Sequence, residues 1–205
     1  MGLIRPNFMI ARVLPQIFFV GSDSTGDAGS TTATYTNFNI GAAHPNRRVF
    51  VVSLSYNQDS PPTLTSATIG GTGATIHVNG GANSMSIFSA ARPTGTTATI
   101  VLNHDDDIDE SRIGVYRVIN LSSATATDTD TDTGTGTLSC ALDVLEGGFA
   151  LAGCLFGSFT GGVSLDVTNN IAIGSARYLA KQTNRAITAS APGKGGGDLV
   201  CASFR

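Results

Sequence analysis

The chain has no tryptophan and is poor in the residues that build helices and charged surfaces: two lysines (Lys181 and Lys194) and two glutamates (Glu110 and Glu146) in 205 residues, with charged residues at 13%. Lys and Glu are strong helix formers, so their scarcity argues against long solvent-facing helices. Net charge is −3 and Arg47-Arg48 is the only basic pair, so no basic stripe exists to track a phosphate backbone, and no nucleic-acid partner is expected. No run approaches the roughly 18 apolar residues of a membrane helix, so no membrane partner is expected either. Met1 to Val20 lacks the layout of a signal peptide: Arg12 interrupts its apolar run and Pro15 follows.

Cysteine is also scarce. Cys140, Cys154 and Cys201 are too few for a disulfide framework and none are at CxxC spacing. Each lies in an apolar, strand-like run. One reading is three buried thiols packing as small hydrophobes; the other is one disulfide plus an odd thiol able to bridge copies.

Threonine, serine, glycine and alanine dominate, and 41% of residues are hydrophobic. Short β-rich runs recur between Gly, Pro, Asn, Asp and Ser clusters, most clearly from Arg47 to Asn120, which predicts an antiparallel sandwich or barrel. Thr31–Ile40 reads as the first strand. Val49–Tyr56 reads as a central strand covered on both faces. Gly70-Gly71-Thr72-Gly73 reads as a hairpin turn, Thr97–Asn103 alternates as a half-buried strand, and residues 104–111 read as an acidic loop. Residues 122–137 (SSATATDTDTDTGTGT) carry no apolar side chain larger than alanine and read as an exposed edge strand or a crossover. Ten to twelve strands exceed an immunoglobulin-type domain, so the expected fold is all-β, an antiparallel two-sheet, jelly-roll-like sandwich over residues 31–205. Residues 1–30 are expected to be an extended N-terminal arm and linker. Its apolar residues Phe8, Met9, Ile10, Ile17, Phe18 and Phe19 are the candidate interface, either with the chain's own domain or with a neighbour.

The chemical clusters are few. Asp105, Asp107 and Asp109 have the alternate spacing of a calcium loop, but Glu110 stands where an EF-hand needs Gly, and Tyr116 where it needs its last Glu. Calcium in another geometry is one reading; a solvated acidic loop is the other. Asp128, Asp130 and Asp132 invite the same question, against a reading in which charge protects an exposed edge. No other cofactor is expected. His44, His77 and His104 lie in separate elements with no HxH or HExxH pattern, and there is no GxSxG nucleophile elbow. The expectation is a chain that is not an enzyme. Tyr35, Tyr56, Tyr116 and Tyr178 fall within strand patterns and read as packing residues, so no flat aromatic platform for a sugar is visible.

The succession RRVFVVSLSY (47–56), TSATIGGTGATIHV (65–78), SIFSAARPTGTTATIVLN (86–103) and RIGVYRVINLSS (112–123) resembles a recurrent segment of small virion proteins of tailed bacteriophages, with a weaker echo in residues 138–153. The resemblance implies a virion-located, non-enzymatic structural protein: a capsid decoration, collar or neck, or tail-fibre component. It would work as a homo-oligomer such as a trimer, docked on other virion proteins. The alternative is a receptor- or carbohydrate-binding module at a fibre tip, with a host surface glycan as partner. The resemblance brings no catalytic residues.

Overall fold

A computed structural model describes residues 13–26, 29–80, 85–168, 171–191 and 197–205. Among these residues there is no helix, and seventeen strands pair antiparallel throughout. The first nine are β1 (Gln16–Thr25), β2 (Ser30–Asn39), β3 (Arg48–Tyr56), β4 (Leu64–Ile69), β5 (Thr72–Gly73), β6 (Thr75–Asn79), β7 (Met85–Ala91), β8 (Thr97–Ile108) and β9 (Glu110–Ile119). The remainder are β10 (Asp128–Gly134), β11 (Gly136–Val144), β12 (Gly148–Leu155), β13 (Ser158–Gly161), β14 (Ser164–Thr168), β15 (Ile171–Leu179), β16 (Gln182–Ala191) and β17 (Gly197–Phe204).

Four sheets result. Strands β1-β9-β3-β7-β6 and β2-β8-β4-β5 come from the first half of the chain; β10-β17-β12-β15-β14 and β11-β16-β13 come from the second. Taken by position, the two halves have the same wiring, with β1, β9, β3, β7 and β6 answering to β10, β17, β12, β15 and β14, and β2, β8 and β4 answering to β11, β16 and β13. The fold is therefore an all-β jelly-roll sandwich, as expected, but laid down twice.

Each roll has an outer and an inner sheet. Val49, Val51, Phe88 and Val115 on the inner sheet of the first roll pack with Ala33, Tyr35, Ile100 and Leu102 on its outer sheet. Cys140, Leu142 and Ile187 pack with Ala150, Ala152, Cys154 and Cys201 in the second. A third core joins the rolls: Phe50, Val52, Leu54, Ile87 and Val118 meet Phe149, Leu151, Ile173, Val200 and Phe204. Both inner sheets are thus apolar on both faces. That explains the near-continuous apolar runs of β3, β12 and β17, where a one-sided sheet would alternate. The outer-sheet strand β8 alternates as its sequence does, with Ala98, Ile100 and Leu102 buried. The β4–β5 hairpin turns on Gly70 and Gly71, both at positive φ, as a two-residue turn between right-twisted strands requires.

Three expectations change. Residues 16–25 are not an arm. They form β1, paired with β9 along its length, and a bulge between Phe19 and Gly21 resets the phase so that the polar Ser22–Thr25 stretch continues the strand. Pro15 precedes the strand, so it costs no ladder bond. The acidic stretch is mostly strand as well: β8 runs to Ile108 and turns tightly into β9. The sandwich expected over residues 31–205 resolves into two rolls joined between Ile119 and Asp128, and residues 128–134 of the segment read as an edge or crossover form the edge strand β10.

Candidate functional site

The polar groups of the fold gather in five places. At one end of the first roll, where β8 turns into β9 beside the 57–63 turn, Asp105 Oδ1 accepts from the Thr63 N–H at 2.6 Å and Asp109 Oδ2 from the Gln58 N–H at 2.9 Å. Asp107 contributes its backbone oxygen, which accepts from Asn57 Nδ2 at 2.9 Å. The Asp105 carboxyl is held below its usual range, chiefly by the Thr63 N–H. Asp105, Asp107 and Asp109 are therefore not drawn together as a calcium cage, and two of them brace the facing turn. Among the described residues no three His, Cys, Asp or Glu side chains converge as a metal site requires.

The opposite end carries arginine. Arg47 is wholly buried, and its guanidinium donates to four backbone oxygens: Arg92, Gly41 (2.6 Å), Thr94 (2.6 Å) and Gly95 (2.8 Å). Arg92 donates to the Gly70 oxygen at 3.0 Å, and Arg117 to the Ala42 oxygen at 2.8 Å while covering the Phe18 ring. Burial, then the charges of Arg117 and Arg92, pull the Arg47 pKa down.

On the second roll, Asp128, Asp130 and Asp132 of β10 explain their own spacing. Their carboxylates accept from the N–H groups of Asp143 (2.7 Å), Ala141 (2.8 Å) and Ser139 (2.8 Å) on β11. A two-residue period on one strand meets a two-residue period on the other. Side chains thus stitch the edge of the inner sheet to the edge of the outer one, in place of cation binding.

At the seam between rolls, Arg48 Nε donates to Ser89 Oγ at 2.6 Å, and Ser89 Oγ lies 2.7 Å from His77 Nε2. An arginine can only donate, so Ser89 Oγ accepts from Arg48, while the direction of its bond to His77 follows the imidazole tautomer. The pair has the contact of a nucleophile and its base, but Ser89 is fully enclosed and reaches no substrate. The His77 ring stacks on Phe50 and meets Phe204 edge-on. Burial first, then the Arg48 charge, bring its pKa down to about 4. Across the same seam Tyr116 Oη donates to Asp166 Oδ2 at 2.8 Å, and Ser175 Oγ donates to the same oxygen at 2.7 Å. Burial, followed by the Asp166 charge, raises the Tyr116 pKa.

Cys140, Cys154 and Cys201 are free and buried together inside the second roll, so neither a disulfide nor a staple between copies forms from them. Burial pushes Cys154 up to about 12 and raises Cys201 well above the usual thiol value, so neither supplies a thiolate. Of the arm residues, Ile17 is in the inter-roll core, Phe19 packs edge-on against Tyr116, and Phe18 is 41% exposed beside Arg117. Phe8, Met9 and Ile10 lie outside the described residues.

Open grooves lie on the second roll. One, about 620 Å³, is lined by Gly162 and residues 181–186, with Lys181, Gln182, Thr183, Asn184 and Arg185 as its polar residues. Another, about 430 Å³, lies between Leu14, Glu146, Tyr178 and Arg205. Neither encloses a buried acid–base pair. The arginine end escapes a reading of the sequence because it joins Arg47 to a segment 45 or more residues away, whereas the carboxylate stitches and the His77–Ser89 brace join consecutive strands whose relative register the residues alone do not fix. The regular Asp-Thr alternation in residues 128–133 was the one available signal.

No protein-family model matches the chain, and no curated protein matches it. Among solved structures it is similar to protein Ylba of E. coli, of the DUF861 family, at 12% identity over 90% of this chain and 84% of that one, with a TM-score of 0.29. It is also similar to the conserved protein of unknown function PA5104 of Pseudomonas aeruginosa PAO1, at 11% identity over 94% of this chain and 98% of that one, with a TM-score of 0.32.

Proposed function

We propose that the chain is a structural, non-enzymatic building block that self-associates and docks on other structural proteins of a particle, in the manner that its resemblance to tailed-phage virion proteins implies. The observation carrying this reading is the use made of its polar groups. Asp105, Asp109, Asp128, Asp130, Asp132 and Arg47 are bonded to the main chain, where they hold loops and edges in place. Two rolls fused through an aromatic core add stiffness without a cofactor. Light scattering on the purified 21.0 kDa chain tests the proposal. A defined multiple of the chain mass is expected. A monomer at every concentration would overturn self-association.

The second reading, a glycan-binding module, is favoured by the groove beside Gln182 and Asn184 and by Tyr178, which is 60% exposed near the end of the preceding strand β15 and lines the groove beside Leu14 and Glu146. Glycan-array binding that disappears in Gln182→Ala/Asn184→Ala, with the fold intact, would select it over the first.

A further inference from the structure

The first roll is electrically lopsided. Strand β3 runs from Arg48 to Tyr56, and its partners fix what lies at each end: Ala91 and Val118 beside Arg48, Glu110 beside Tyr56. Around the first end are Arg47, Arg92 and Arg117, with no Asp or Glu in residues 39–48, 69–75, 91–97 or 117–121. Among the described residues the one ion pair is Arg112–Glu110, at the far end. The three guanidinium groups bond only to uncharged oxygens, and Arg92 Nε is enclosed without a hydrogen-bond partner. Carbonyl oxygens satisfy donors but leave the positive charge uncancelled, and burial of Arg47 makes that charge costly to leave so. The other end, about 30 Å away along nine residues of strand, presents exposed Asp59, Asp105, Asp106, Asp107 and Asp109.

We propose that the arginine end of one copy receives the acidic end of a second, so that chains join head to tail through charge. This rests on the self-association proposed above and gives it a surface. Each chain offers one end of each sign, so the contact is between unlike surfaces and propagates into a ring or an open stack. Asp106 and Asp107 suit the contact, because both are exposed and their side chains brace no other segment. Exposed charges are screened within a few ångströms at high salt, so association must be salt-sensitive.

Sedimentation velocity on the full chain is the test. Raising sodium chloride from about 50 to about 500 mM should weaken association at least about tenfold. Arg92→Glu/Arg117→Glu removes the excess positive charge of the arginine end, and Asp106→Lys/Asp107→Lys leaves the acidic end with three carboxylates against two lysines. Each should be monomeric alone, and the two mixed should associate again. Failure of the mixture to associate, with both variants melting as the parent does, would overturn the proposal. If the arginine variant does not fold, Asp106→Asn/Asp107→Asn decides: association weakened as by salt supports the surface, and unchanged association overturns it. An oligomer that ignores salt sinks this surface and leaves self-association standing. A monomer at low salt sinks both.

Discussion

The two rolls share one wiring and differ in how they fill and close it. The private core of the first is built from large side chains, Tyr35, Phe88, Ile100 and Leu102 among them. That of the second is built from Ala150, Ala152, Ala172, Ala189, Ala191 and three cysteines around three leucines, Val144 and Ile187. At the edge, β1 of the first roll sends Ile17 into the inter-roll core, whereas β10 of the second sends carboxylates across to β11. A strand with no large apolar side chain cannot be held by burial. Three charge-assisted bonds to main-chain N–H groups hold it in place. One topology thus tolerates two solutions, apolar anchoring and polar stitching, and sequence composition follows whichever is used.

The largest test of the comparison is at the seam. Phe204 is fully buried between Phe50, Phe149 and His77. Phe204→Ala should cost about 3–5 kcal/mol in urea denaturation. Because its core belongs to both rolls, the loss should appear in one cooperative transition. Two separate transitions would mean that the rolls fold independently and that the shared core is incidental.

Next is the stitching. Asp128→Ala/Asp130→Ala/Asp132→Ala should cost about 1.5–4.5 kcal/mol in total, each hydrogen bond contributing a net of about 0.5–1.5 kcal/mol. Hydrogen exchange should quicken at Ser139, Ala141 and Asp143 and stay unchanged along β2. Equal quickening in both rolls would remove the distinction drawn here.

A smaller effect follows from His77. Its pKa falls from an ordinary 6.5 to about 4, so between those values the unfolded chain binds a proton that the folded chain refuses. Stability is therefore full above pH 6.5 and declines as pH falls toward about 4. In His77→Gln the thermal midpoint should fall less over that window than in the parent. An unaltered slope would place the acid sensitivity elsewhere, with buried His104 the next to examine, since its pKa is also lowered, first by burial. Least of all, the three thiols of the second roll should stay silent to a thiol reagent until denaturant unfolds it, because all three are enclosed. Fast labelling of the native chain would show that the small-residue core opens.

Much of this architecture is legible in the residues. The uninterrupted apolar run of β3 requires a strand covered twice, and the alternation in Thr97–Asn103 gives its buried face directly. Legibility fails where phase or partner is set at a distance. In β2 a bulge between Tyr35 and Phe38, with Asn37 at positive φ, breaks the two-residue period of an extended strand, so Ala33 and Tyr35 are buried together with Ile40. The bulge in β1 hides a strand inside a stretch that looks like a linker. The carboxylates of residues 105–109 are spaced like cation ligands because any alternating strand is, and only the facing turn reveals what they hold. Duplication is equally hidden, since corresponding strands share position and scarcely any residues.

The seam also governs the order in which the molecule can be made. Strand β17 is synthesised after the other sixteen, yet it lies in the middle of its sheet, between β10 and β12, and every one of its residues is buried. Until it emerges from the ribosome, the first roll is complete in wiring but bare on the face bearing Phe50, Val52 and Ile87. At about 5–20 residues per second, the segment from Asp128 to Phe204 leaves that apolar face uncovered for several seconds. A nascent chain stalled anywhere in this interval would be a substrate for chaperones and a hazard for its neighbours.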